Sequence, residues 1–181
     1  RPRLEEDLTA DVCVIGGGFT GLSAALNLAE LGKSVVLLEA ERIGFGASGR
    51  NGGLVGSGQR IEVMDAEKQF GYERSRQLWN FAELAKDEIR NRVAKHDISC
   101  DLQQGQFVGV HKRSYVGWAR ELADVLTERY DYPYCSPVDR EDVPNYVATD
   151  NYFEGFYDPE ALNLHPLNYT LGLARAADKA G

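Results

Sequence analysis

Gly16, Gly18 and Gly21 stand in the spacing G-x-G-x-x-G within "GGGFTG", and Glu39 follows 18 residues after the last of them. Residues of these types at this spacing can hold a pyrophosphate and a ribose. Gly16 permits a tight turn, Gly18 has no side chain to keep a phosphate away, and Gly21 lets a helix pack close to a strand. Phosphate oxygens would then meet the N–H groups and partial positive charge of a helix N-terminus. A carboxylate at Glu39 can accept both hydroxyls of an adenosine ribose and would repel a 2′-phosphate. The bare spacing is weak evidence, because glycine turns are common. The plainer alternative is a tight turn in an α/β core, with Glu39 a solvated charge at a strand end.

The elements needed to position these residues stand in the right order. "DVCVI" (11–15) is a short apolar run ending at glycine and predicts a buried strand, with Cys13 a small buried hydrophobe inside it. From Phe19 to Leu31 the pattern turns helical, with Leu22, Ala25, Leu26 and Ala29 at i, i+3, i+4 and i+7. Gly32 falls where a helix needs a residue of positive φ to stop. "SVVLLE" (34–39) predicts a second buried strand that ends at Glu39. Strand, turn, helix and strand make a βαβ unit, whose crossover is right-handed and whose strands are parallel. That context turns the glycine spacing into a dinucleotide fingerprint. FAD and NAD share it, and the turn alone does not choose between them.

A second glycine-rich stretch follows at once. "AERIGFGASGRNGG" (40–53) is too rich in glycine for a helix and too long for a minimal turn, whereas an NAD-only domain would lead into its next helix here. Backbone so bare of Cβ atoms suits close approach to a flat or phosphorylated ligand. Ser48 and Asn51 can exchange hydrogen bonds with such a ligand, and Arg50 can offset phosphate charge.

Further along, Leu78, Phe81, Ala82, Ala85, Ile89 and Val93 form one apolar stripe of a predicted helix. Ile98, Cys100 and Leu102 alternate as a strand does, with "QFVGV" (106–110) its expected partner across a turn at Gly105. Another helix is expected to run to about Tyr130, a short capped helix at "VDREDVP" (138–144), and a short strand at "YFEGFY" (152–157). Pro166 opens a last helix, and His165 before it reads as the start of that helix rather than a ligand. The tyrosines between 130 and 157 are expected to pack their own segment rather than wall a ligand pocket.

The chain of 181 residues suffices for one good core, or one large domain with part of another. A net charge of −8 argues against nucleic acid, which demands a basic footprint. No apolar run is long enough to cross a membrane. Cys13, Cys100 and Cys135 form no C-x-x-C pair, and His96, His111 and His165 are far apart, so neither a metal site nor a redox dithiol is expected. This cysteine usage suits a reducing cytoplasm. The first residue is Arg1 rather than Met, and two parallel strands alone would leave a sheet with open edges. Both suggest a piece of a longer protein.

"DVCVIGGGFTGLSAALNLAELGKSVVLLEAERIGFGASGRNGG" resembles, nearly end to end, the N-terminal signature of the FAD-dependent D-amino-acid oxidase-like oxidoreductases. "ISCDLQQGQFVGV" and "ALNLHPLNYTLGLARAADKAG" extend the likeness over most of the chain. The resemblance implies an α/β fold, a Rossmann-like FAD-binding domain of the glutathione-reductase-like type with the start of an α+β substrate domain, incomplete here. Residues 1–97 would form the first part of the FAD-binding domain and 98–158 the first part of the substrate domain. Residues 159–181 would return as a helix to the FAD-binding domain. It implies FAD held by Gly16, Gly18, Phe19, Thr20 and Gly21 at the pyrophosphate and by Glu39 at the ribose, with Ala40, Glu41 and Arg42 beside the adenosine. Ser48, Arg50, Asn51, Gly52 and Gly53 would run along the pyrophosphate toward the flavin ring. Residues 41–58 contain no His or Cys, so the FAD is expected to be non-covalent. The implied reaction oxidises a small amine, polyamine-derived or an amino acid, to an imine that water hydrolyses, with O2 or another acceptor taking the electrons. The resemblance names no catalytic side chain in this stretch and no oligomeric state. A nucleotide-binding module without catalysis stays the alternative.

Overall fold

The computed structural model describes residues 3–181. Its strands are β1 (Val12–Ile15), β2 (Val35–Leu38), β3 (Leu54–Val55), β4 (Gln103–Val110), β5 (Ser136–Val138) and β6 (Glu154–Asn163). Its α-helices are α1 (Phe19–Glu30), α2 (Val63–Phe70), α3 (Tyr72–Lys95), α4 (Trp118–Tyr130) and α5 (Pro166–Ala180). They gather into two compact units. The first takes the chain up to Gly53 with Asn91–Asp101 and His165–Gly181, and the second takes Leu54–Arg90 and Leu102–Leu164.

In the first unit β1 and β2 are parallel, from Val12 opposite Val35 to Ile15 opposite Leu38. The Gly16 N–H donates to the Leu38 carbonyl at 2.8 Å and extends that ladder into the glycine turn. Helix α1 starts at an extended Gly18 and stops at Gly32, whose φ of +77° is the left-handed conformation expected there. Leu22, Ala25, Leu26 and Ala29 are its buried face, and α5 packs beside it, with the Phe19 and Tyr169 rings 5.5 Å apart. Burial of a leucine in such a core is worth about 1.5–3 kcal/mol. In α5, Pro166 takes the first turn and His165 caps it by accepting the Asn168 N–H on Nδ1 at 3.3 Å.

The expectation of a buried Cys13 is corrected. Val12 and Val14 are half-buried, whereas Cys13 is exposed and Ile15 is 85% exposed. Val14 faces the helix, its Cγ1 lying 3.3 Å from where a Cβ on Gly21 would stand. An unbroken apolar run does not reveal whether a strand is covered on one face or both.

In the second unit β3, β6 and β4 run antiparallel in that order, and β5 also pairs with β6. The hairpin expected across Gly105 is absent. Gly105 lies inside β4, at a bulge between Gln104 and Gln106, and the partner of β4 is β6, some fifty residues on. Its φ of +93° gives the positive-φ glycine a role within a strand rather than between two. Residues 138–144 also differ from expectation. The only helical turn there is a 3-10 turn at Val143–Asn145 with no side-chain cap, and the Asp139 carboxylate meets Arg120 at 3.1 Å. Phe107 gathers part of the tyrosine cluster, stacked on Tyr146 at 5.1 Å and edge-on to Tyr152 at 6.2 Å.

The core of this unit joins Val63, Trp79, Leu122, Ala123, Leu126, Tyr130, Tyr132 and Cys135. Helix α3 buries a face shifted from the expected stripe: Leu78, Ala82, Ile89 and Val93 are half-buried, but Phe81 and Ala85 are exposed. Phe81 is 68% exposed, while Ser75, Trp79 and Lys86 are buried. Lys86, 3% exposed, is held inside by an ion pair to Glu83 at 2.7 Å and by hydrogen bonds to the Ser57 and Tyr132 hydroxyls at 2.7 and 3.2 Å. A charge fully met by partners can be buried where a hydrophobicity pattern places it outside.

Candidate cofactor site

The glycine turn, the end of β2 and the second glycine loop close on one another within the first unit. The Glu39 carboxylate accepts the Gly17 N–H on Oε2 at 2.6 Å and the Glu41 N–H on Oε1 at 2.9 Å. These amides, Glu41 first and Gly17 second, hold its pKa below the ordinary carboxylate range. The Ser48 hydroxyl accepts the Phe19 N–H at 2.9 Å, and the Gly44 N–H donates to the Gly17 carbonyl at 3.0 Å. Gly16, Gly18, Phe19, Glu39 and Ser48 are thus brought together around the first turn of α1.

The remaining expected residues sit along the loop. Asn51 folds it by donating to the Ala47 and Ser48 carbonyls, both at 3.0 Å, while its Oδ1 accepts the Gly53 N–H at 2.8 Å. Arg50 donates from Nε to the Phe45 carbonyl at 2.6 Å, and its guanidinium lies over the Phe45 ring at 4.7 Å. Arg42 covers the same ring at 5.1 Å. Ala40, Arg42, Arg50, Asn51 and Gly52 are exposed, as is Thr20, and Gly53 is buried.

Two kinds of glycine can be told apart here. A Cβ on Gly21 would overlap the Gly16 carbonyl, and one on Gly49 the Gly44 carbonyl, so the fold itself demands glycine at both. At Gly46 and Gly52 a Cβ would meet nothing within 4 Å, and neither has a positive φ. Packing does not explain those two, whereas close approach of a ligand would. The start of α1 points the same way. Its cap is a glycine and its first turn carries no acidic residue, so although Ser48 takes the Phe19 N–H, the positive end of the helix dipole is not neutralised by a carboxylate of that turn. These features fit a dinucleotide with its pyrophosphate at α1 and its ribose near the anchored Glu39.

Sequence reasoning missed the brace behind the loop. Thr170 in α5 is fully buried; its hydroxyl donates to the Pro166 carbonyl at 2.7 Å and stands 3.3 Å from the Ser48 carbonyl. Leu167 lies 3.0 and 3.1 Å from the positions a Cβ would take on Gly44 and Gly49. Only the buried period of α5 hints at this, because the partners are 122 residues apart.

Fold and site together define an α/β protein of the dinucleotide-binding class, and comparison with known proteins narrows it. Residues 11–181 match the family model described as FAD dependent oxidoreductase, and the chain belongs to that family, whose cofactor is FAD. A probable oxidoreductase OrdL of Rhizobium meliloti is 41% identical over 172 residues, covering 95% of this chain and 40% of that protein. The gamma-glutamylputrescine oxidoreductase of Escherichia coli is 38% identical over 174 residues, covering 96% of this chain and 40% of that protein. The chain therefore spans about two fifths of the length of these curated relatives. Among solved structures, an L-amino acid deaminase from Proteus vulgaris superposes with a TM-score of 0.76 at 23% identity, over all of this chain and 41% of that one. Glycine oxidase from Geobacillus kaustophilus gives 0.71 at 19%, over 95% and 45%. At such identities the likeness concerns the fold.

Proposed function

We propose that this chain is the FAD-holding portion of an amine oxidoreductase that acts on gamma-glutamylputrescine or a similar amine. The first unit would serve the cofactor and the second would begin the substrate domain. The observation that carries this reading is the 38% identity to gamma-glutamylputrescine oxidoreductase across nearly the whole chain, joined to a glycine loop whose bareness at Gly46 and Gly52 is left unexplained by packing.

The chain's own residues would do three things. Gly18, Thr20 and Gly21 would offer backbone N–H groups and the α1 dipole to the pyrophosphate, while Gly16 and Phe19, whose N–H groups go to Leu38 and Ser48, would shape the turn around it. Glu39, pre-aligned by two backbone amides, would accept the ribose hydroxyls, with Ala40 and Arg42 alongside. Ser48, Arg50, Asn51, Gly52 and Gly53 would lead toward the reactive ring. FAD, when bound, supplies the two-electron oxidation of the amine, and O2 or another acceptor takes the electrons afterwards. The product imine would hydrolyse to an aldehyde and ammonia, with hydrogen peroxide formed where O2 is the acceptor. Residues 41–58 offer no His or Cys for a flavin bond, so the FAD is held non-covalently. An exposed Cys13 thiol suits a reducing cytoplasm, and no described helix is long and apolar enough to cross a membrane.

The test is a peroxide assay of the complete gene product carrying this chain, loaded with FAD, against gamma-glutamylputrescine, putrescine, glycine, sarcosine and D-amino acids. Turnover should be highest with gamma-glutamylputrescine. Preference for an amino acid would move the reading to another amine, and an FAD-indifferent protein would end it.

A further inference from the structure

We propose that the second unit carries a binding cavity for a small organic ammonium ion, walled by Trp79, Trp118 and Phe156 and floored by Asp158. The cavity measures ≈ 380 Å³ and lies between the face of the β4–β6 pair that bears Val108 and Phe156 and the residues of α3 and α4, room for a ligand of modest size.

Three observations specify the charge of the occupant. Asp158 lines the cavity yet is 3% exposed. Its carboxylate is met by neutral donors, the Ser57 hydroxyl at 2.6 Å, the Tyr132 hydroxyl at 2.8 Å and the Glu160 N–H at 3.0 Å. The buried cation behind it, Lys86, is paired to Glu83 at 2.7 Å and reaches Asp158 through the Ser57 and Tyr132 hydroxyls. Lys86 and Asp158 are both buried and Glu83 is half-buried beside them, so this set holds one more carboxylate than ammonium, and such an excess of negative charge favours an incoming cation.

The walls specify the rest. Trp118 and Phe156 are tilted against each other at 5.5 Å, and Trp79 lines the same space. Aromatic faces beside a carboxylate attract an alkylammonium through the ring quadrupole and accept its apolar body. At the mouth Glu62 is fixed by the Trp118 Nε1–H at 2.9 Å and adds a second carboxylate, opposed by Arg60.

The inference does not depend on the proposed oxidation, and its test reads binding alone. The complete FAD-loaded protein is titrated calorimetrically with n-butylammonium, n-butanol and butyrate, while flavin absorbance in the same samples reports any oxidation separately. Saturable binding of butylammonium is expected, with butanol at least about tenfold weaker and butyrate not binding. Asp158→Asn should weaken butylammonium and leave butanol unchanged. Because Asp158 is buried, Trp118→Leu and Glu62→Gln provide variants nearer the opening, and each should also weaken butylammonium selectively. Failure of butylammonium to bind, equal binding of butanol, or undiminished binding by Trp118→Leu would overturn the proposal.

Discussion

Individual glycines and carboxylates carry separable duties, and single substitutions can divide them. Gly21→Ala forces a Cβ into the Gly16 carbonyl and should destabilise the protein by about 1–3 kcal/mol, read as a lower Tm. Gly52→Ala adds a Cβ into open space. It should leave the Tm of the FAD-free protein unchanged while weakening FAD binding, because a ligand rather than the chain claims that space. An equal FAD Kd for Gly52→Ala would remove the loop from the cofactor site. Glu39 makes a prediction in pH. Its folded pKa is lowered by the Glu41 and Gly17 amides, so its stabilisation is complete above the unfolded carboxyl pKa. It is lost as the pH falls through the lower folded value. Stability of Glu39→Gln should therefore decline less steeply through the acid range than that of the parent, as melting at successive pH values would show. Gly16, Gly32 and Glu39 were legible in the sequence because turn chemistry and strand ends are local. The exposure of Cys13 is not legible in the sequence, because it depends on what covers the sheet.

At the scale of elements, β1, α1 and β2 follow from their periods and glycine stops, since each is decided within a few neighbouring residues. The second unit was harder to read, because its decisive contacts join distant positions. Gly105 reads locally as a hairpin turn, yet β4 continues through it to pair with β6. A Cβ there would overlap the Tyr157 hydroxyl at a φ of +93°. Gly105→Ala should cost about 1–3 kcal/mol in urea unfolding, where a solvent-facing turn glycine would lose less. Helix α3 offers the sharper contrast. Its most apolar stripe includes the exposed Phe81, and its buried face includes Lys86. Lys86→Met strips the cation from Glu83 and the hydroxyl network, and should destabilise by about 3–5 kcal/mol in urea unfolding. Phe81→Ser should have little effect in the same experiment. The reverse ranking would restore the stripe.

At the scale of the molecule, the glycine turn and the second loop identified the family and its cofactor from sequence, and the structure adds how they are fixed. Glu39 ties the turn to β2, Ser48 ties the loop to α1, and Leu167 and Thr170 of α5 pack against Gly44 from behind the loop. The substrate is less legible, because an amine is recognised by side chains gathered from many segments, and this chain matches about two fifths of its relatives' length. The central claim is that the protein holds FAD non-covalently and uses it to oxidise an amine. Its most direct test is an anaerobic titration of the complete FAD-loaded protein with gamma-glutamylputrescine, followed by visible absorbance and then acid precipitation. The flavin band should bleach in proportion to added amine, and all flavin should remain in the acid supernatant. A band unmoved by every amine tried, or flavin that precipitates with the protein, would contradict the account.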